Sequence, residues 1–331
     1  MDTNGAVIAI DIGGTTIKGA AVNRAGRVIA RQTTSSFAVN DDVLSGVVSV
    51  IRDLRIAATS SGFQVRNIGL ASPGLVDTKS GTVHYAPNLR WKSLRLKDLL
   101  EDRFNLPVRV EHDARTGAMA ERSAHPSQSG RFDNFVFIPL GTGVSAAIVT
   151  AGVLVAGATG ASGEFGHVSI DPRGELCICG RNGCVEAYAS ASSIVARYRR
   201  LGGALPPSAP AIAGAIASDP IAARVWDDAV DALARGISSL TAVLDPAVIV
   251  IGGGLSDAGP TLLEPLRVRV SEYLSWRTAP DIIQSKAGPL AGLVGAALLA
   301  WTGTPLESTF AEAACVSLRD DEAAVASTSP R

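Results

Sequence analysis

The sequence predicts an α/β protein of two lobes, in which mixed sheets are flanked by helices. Three observations carry that expectation. The chain is 331 residues long, enough for two domains of roughly 150 residues each, and 47% of it is hydrophobic, ample for buried cores. A strand, a Gly/Thr turn and a returning strand open the chain and recur from Asn134. Between and after these runs lie long stretches with helical rather than strand periodicity.

From Val7 the text VIAIDI, the turn GGTT, IKGAAVN, Gly26 and VIARQTT read as a three-stranded meander. Asn40 is expected to cap a helix, since Val43, Leu44, Val47, Val48, Ile51 and Leu54 then recur at helical spacing up to Gly62. A strand NIGLAS follows at Asn67, and strand-like PVRVEH precedes helical ARTGAMAE. The polar stretch Ser123 to Arg131 reads as a hinge or surface loop. From Asn134 the order repeats as NFVFIPL, GTG, VSAAIVT and VLVAG, although the residues are barely similar. Helical patterns cover Glu186 to Leu201 and Ile221 to Leu244, and the strand AVIVI runs into Gly252, Gly253 and Gly254. The apolar run Ala287 to Trp301 is shorter than the roughly 18 to 20 residues that span a bilayer, so it is expected to be a buried helix. Past Gly303 periodicity fades, and the last part of that segment is expected to be disordered. The expected division is an N-terminal lobe over 1–122, completed by the helix at about 290–302, a larger lobe over 123–289, and a tail over 303–331.

Thirty Lys and Arg stand against thirty-one Asp and Glu, a net charge of −1, so no global basic field exists to hold nucleic acid or an anionic membrane. The N-terminus has no positive leader and Asp11 interrupts its only apolar stretch, which points to the cytoplasm. Of four cysteines, Cys177, Cys179 and Cys184 cluster while Cys315 is remote, a pattern that suggests metal rather than a disulfide framework.

Six constellations could carry chemistry. In DIGGTT, Gly13 and Gly14 let backbone amides approach an anion, Thr15 and Thr16 add hydroxyls, Asp11 could hold magnesium or its water, and Lys18 could reach the same anion. An ordinary hairpin turn is the alternative. Gly141, Thr142 and Gly143 form a second such turn, which by itself reads more readily as a plain tight turn, and Gly252 to Gly254 leave a bare backbone at a strand end, where nucleotides commonly sit in α/β folds. His167 with Cys177, Cys179 and Cys184 offers one imidazole and three thiolates for a tetrahedral zinc with no open position, hence structural; reduced thiols without a ligand, or a labile disulfide, are the alternative. Glu164 and Glu186 bracket that loop, either as surface charges or as acceptors for sugar hydroxyls. Asp113, at a strand-to-helix junction, either caps a helix or accepts the proton of an attacking hydroxyl in phosphoryl transfer.

Together these residues resemble the ROK family of bacterial sugar kinases and repressors. DIGGTTIK is similar to its first phosphate motif, ASPGLVD at Ala71 to Asp77 to its Pro-Gly loop with Gly74, and APNLRW at Ala86 to Trp91 to its sugar-side segment. GEFGHVSIDPRGELCICGRNGCVEAYAS resembles the family signature over nearly its whole length, and PAVIVIGGGLS and GLVGAALLA also fit. The resemblance spans about residues 7 to 302 and implies an actin-like ATPase (ribonuclease H-like) fold, with two lobes around a nucleotide cleft. It implies ATP with Mg2+, a structural Zn2+, phosphorylation of the 6-hydroxyl of a hexose, and a homodimer. Asp113 would be the base, and Glu164, His167 and Glu186 would face the sugar near its anomeric end, His167 using one nitrogen for zinc and one for ligand. Glucokinases of the family usually have Asn where this chain has His112, which puts preference at C3 and C4 in question. An imidazole could accept from an amino group at C3, so a kinase of kanosamine (3-amino-3-deoxyglucose) is an alternative, as is a kinase of N-acetylmannosamine or N-acetylglucosamine. Ser145 departs from the usual GTGxG and is expected to leave activity intact. A regulator of the family would carry a helix-turn-helix extension, whereas DIGG begins here at residue 11. A sugar sensor without DNA binding is the remaining alternative.

Overall fold

The computed structural model describes residues 4–128, 130–204, 208–304, 306 and 309–328, with side chains as far as 320. The chain divides into unit 1 (Met1–Ser127, Ala156–Ala161 and Leu290–Arg331) and unit 2 (Gln128–Val155 and Ser162–Pro289).

Unit 1 opens with β1 (Gly5–Ile12), β2 (Thr16–Asn23) and β3 (Val28–Ser35), then α1 (Val43–Ser60) and β4 (Gln64–Ser72). A small sheet of β5 (Leu75–Asp77), β6 (Thr82–Ala86) and β7 (Trp91–Leu94) follows, a feature the apolar pattern did not announce. Next come α2 (Leu96–Phe104), β8 (Val108–His112) and α3 (Asp113–Ser123). The helix α1 begins where its apolar repeat predicts, but its cap is Asp42, whose carboxylate accepts from Ser45 N at 2.8 Å. Asn40, expected there, adopts φ 54° instead, a left-handed conformation that asparagine tolerates.

Unit 2 contains β9 (Phe135–Pro139), β10 (Ala147–Thr150), β11 (Val153–Leu154), α4 (Glu186–Ala189), α5 (Ala191–Arg200) and α6 (Ala209–Gly214). It continues with α7 (Pro220–Leu244), β12 (Val248–Gly252), α8 (Pro260–Tyr273) and β13 (Asp281–Gln284). The helix expected over Glu186 to Leu201 is broken at Ser190, whose hydroxyl accepts from Ser193 N and starts a new helix.

The two main sheets share one topology, β3-β2-β1-β4-β8 and β11-β10-β9-β12-β13. In each, an antiparallel meander is extended by two parallel strands, so the repeat seen in the text is a repeat of topology. Ile8, Ile10, Val47, Ile51 and Ile68 fill the core of unit 1, and Val136, Ile138, Phe165, Leu233 and Ile249 that of unit 2.

Helix α9 (Ala291–Ala300) returns to unit 1 and is apolar nearly all round. It lies so close to β4 and α3 that a Cβ on Gly69 would meet Ala296 O at 2.1 Å, and one on Gly295 would meet Thr116 O at 1.9 Å. Residues Phe310–Thr328 form α10, because Phe310, Ala311, Ala314, Cys315 and Leu318 recur at helical spacing and are buried. Ser317 Oγ accepts from Val28 N and Arg31 donates to Leu318 O, which fix α10 to β3. Burial pushes the Cys315 thiol up to about 11, so it behaves as an apolar core residue. Residues 329–331, the end of the expected tail, lie outside the described residues.

Candidate active site

In unit 1, Asp11 sits at the end of β1, in register with Lys18 on β2 and Ala71 on β4. The turn between β1 and β2 holds Gly13, Gly14, Thr15 and Thr16, the last three of them exposed. Gly13 N donates to Thr16 O at 2.8 Å, Ser36 N to Thr15 O at 2.9 Å and Ser36 Oγ to Gly13 O at 2.7 Å. Burial pushes the Asp11 carboxyl up to about 6; Lys18 pulls it down and Asp113 pushes it further up. A Cβ on Gly292, in the first turn of α9, would lie 2.8 Å from Asp11 Oδ1, so that helix start closes over the carboxylate.

Asp113 is the first residue of α3, and it is not the cap. His112 fills that position, its Nδ1 accepting from Ala114 N at 3.3 Å, while the same N–H reaches Asp113 Oδ1 at 2.6 Å. The Asp113 side chain stays 37% exposed and lies 3.3 Å from the nearly buried imidazole. Nδ1 of His112 thus stands 3.3 Å from both Ala114 N and Asp113 Oδ1, so the imidazole and the carboxylate share the Ala114 N–H.

Beneath this pair lies a network that the sequence reading missed. Arg115, fully buried, donates through Nε to Glu111 Oε1 at 2.6 Å and through its terminal nitrogens to Gly160 O and Val76 O. Glu111 Oε1 also accepts from His112 N at 2.7 Å, and Thr78 Oγ1 donates to the same carboxylate. The Glu111 to Arg115 spacing of four residues was the available signal, hidden because it crosses from strand to helix. Gly74 has φ 93° and presses on β6, where a Cβ would meet Tyr85 O at 2.2 Å.

In unit 2, Gly141, Thr142 and Gly143 turn between β9 and β10, with Gly141 N donating to Gly143 O at 3.0 Å. Glu186, the first residue of α4, accepts from Val144 N through Oε2 at 2.9 Å. Glu164 is exposed beside the short helical turn Phe165–His167. Of the three consecutive glycines, Gly252 and Gly253 are explained by packing, since a Cβ there would strike Phe137 or Leu140 O. Gly254 has open space around it.

His167, Cys177, Cys179 and Cys184 bring their ligand atoms within 4.8 Å of one another. Cys179 Sγ lies 3.7 Å from Cys184 Sγ and Cys177 Sγ 3.8 Å from His167 Nδ1, close to the spacing that ligand bonds of about 2.0 to 2.3 Å give around a tetrahedral zinc. Burial pushes the Cys184 thiol up to about 12, so a cation is needed to hold it as thiolate.

The ROK family model matches residues 7–302. A glucokinase of Streptomyces coelicolor is 33% identical over 322 residues, covering 91% of this chain and 99% of that protein. The crystal structure of a ROK family glucokinase from Streptomyces griseus in complex with glucose and AMPPNP superposes with a TM-score of 0.78 at 32% identity, covering 90% of this chain and all of that one. A ROK family transcriptional regulator, a homolog of the E. coli MLC protein, also reaches a TM-score of 0.78, at 25% identity over 95% of this chain and 81% of its own.

Proposed function

The chain belongs to the ROK family of actin-like, two-lobed proteins, and from that premise we propose that it transfers the γ-phosphoryl group of ATP to the 6-hydroxyl of a hexose, with glucose as the first candidate. The observation that carries this reading is Asp113: a carboxylate at a helix start, its side chain 37% exposed, with Oδ1 bonded to Ala114 N and Oδ2 without a hydrogen bond among the described residues. A general base must be within hydrogen-bond reach of the proton it takes, and Oδ2 is available for that. As it accepts the hydroxyl proton, the hydroxyl oxygen bonds to the γ-phosphorus and the bond to the departing ADP breaks. Glu164, Glu186 and Nε2 of His167 are assigned to hydroxyls around the anomeric end, His112 to the far side of the ring. The two glycine turns and Gly254 offer backbone N–H groups to the phosphates.

Mg2+, when bound, neutralises phosphate charge; Asp11 suits it, since burial and Asp113 both oppose a lone carboxylate there. We assign His167, Cys177, Cys179 and Cys184 to a structural zinc, because four protein ligands close the tetrahedron. Metal analysis is expected to find one zinc per chain, and Cys184→Ser is expected to lose it. The homodimer is carried by the resemblance alone.

His112 stands beside Asp113 where glucokinases of the family usually carry Asn, so it bears on which hydroxyls of the ring are read. A coupled ADP-release assay across glucose, mannose, fructose, N-acetylmannosamine, N-acetylglucosamine and kanosamine tests the acceptor. Glucose is expected to lead; kanosamine ahead of glucose would refute glucose as the first candidate. Sugar binding with no turnover on any acceptor would support a sensor instead.

A further inference from the structure

The Gly141–Gly143 turn is supported from outside itself. Val144 N donates to Glu186 Oε2, 42 residues on, and Ser192 Oγ donates to Thr142 O at 2.6 Å, 50 residues on. Ala191 N adds a bond to Gly141 O at 2.9 Å. All three supports come from the α4–α5 corner, which is tied together where Ser190 Oγ accepts from Ser193 N and lies 3.1 Å from Ser192 Oγ. Gly143 has no side chain where Glu186 needs room: a Cβ would stand 2.8 Å from Oε2. The carboxylate therefore occupies the space that any larger residue at 143 would fill. Among the described residues Glu186 Oε1 makes no hydrogen bond.

We propose that Glu186 is a positioning residue for the nucleotide turn as well as a sugar ligand, and that it couples the two sites. Oε2 sets the backbone of the turn while Oε1 takes a sugar hydroxyl, so whatever moves the carboxylate on one side is felt on the other. Binding coupled in this way is reciprocal. The inference rests on the kinase reading for what each face of Glu186 meets.

Calorimetric titration of the full chain tests it, with Mg-AMPPNP in the absence of sugar and glucose in the absence of nucleotide as separate arms. Glu186→Ala is expected to weaken AMPPNP about tenfold or more, since a bond to a charged acceptor is lost. Glu186→Gln keeps an acceptor oxygen for Val144 N and is expected to restore AMPPNP affinity while glucose stays weakened, a rescue that mere loss of folding would not produce. Gly143→Ala, a change in the nucleotide turn, is expected to weaken glucose by displacing the carboxylate. Wild-type AMPPNP affinity in Glu186→Ala, or wild-type glucose affinity in Gly143→Ala, would overturn the proposal. If the wild-type chain binds no hexose, the substrate reading and the coupling fail together, and the AMPPNP arm still decides whether Glu186 sets the turn.

Discussion

Each glycine turn has one backbone bond of its own, and the two differ in how far along the chain their other support lies. In unit 1 Gly13 N donates to Thr16 O, and Ser36, just past β3 of the same meander, adds two bonds. In unit 2 Gly141 N donates to Gly143 O, and the turn leans on Glu186, Ala191 and Ser192, beyond its own meander. Charge follows the opposite pattern. Unit 1 places Asp11 at the end of β1 and gathers Glu111, Asp113 and Arg115 at the β8–α3 junction, with Arg115 wholly buried. In unit 2, among the described residues, the charge bonded to the turn is the carboxylate of Glu186, beside the uncharged contacts of Ala191 and Ser192. A turn held locally tolerates changes far along the chain. One held remotely transmits them.

The comparison can be broken most forcefully at Arg115. Arg115→Met leaves Glu111 buried without its partner, and unfolding experiments are expected to show a loss of about 3 to 5 kcal/mol. A loss below 1 kcal/mol would mean that the network does not organise unit 1.

Asp11 offers a test of opposite sign. Its carboxyl titrates near 3.8 when unfolded and about 6 when folded, so between those values the native state keeps a proton that the unfolded state has lost. Stability from this group therefore falls as pH rises from about 4 to 6, by at most about 3 kcal/mol, and stays lower above that window. Asp11→Asn is expected to flatten that slope and raise the melting temperature at pH 7, while ATP-dependent turnover drops. An unchanged slope would show that Asp11 is not the desolvated charge of unit 1.

The smallest effect is expected at Ser36. Ser36→Ala removes the bond to Gly13 O but leaves the backbone bonds, so stability should fall by about 1 kcal/mol, with AMPPNP binding little changed in calorimetry. If it weakens AMPPNP as much as Glu186→Ala does, the contrast between the turns is false.

Legibility in the sequence divides along the same line. The strands flanking both turns, the helix α7 and the buried α9 are written in runs of apolar residues, and the repeated topology follows from them. Local spacing also brought out the His167, Cys177, Cys179 and Cys184 cluster. What stayed hidden depends on distant backbone approach: Gly292 over Asp11, Gly143 against Glu186, and Arg115 reaching Gly160 O. The Ser190 break was hidden for another reason, because a serine within a helical pattern looks like a tolerated residue until its hydroxyl is seen to cap. The helix α10 stayed hidden because its apolar repeat is short and sits among Ser, Thr and Asp.

The central claim is that Asp113 takes the proton of the attacking hydroxyl. Asp113→Asn keeps the size of the side chain and removes its basicity, so the direct measurement is ADP release with glucose and ATP, run beside zinc content and glucose binding. The account predicts a fall in kcat of about 10²- to 10⁴-fold with zinc content intact and glucose still bound. Undiminished turnover in Asp113→Asn would contradict it.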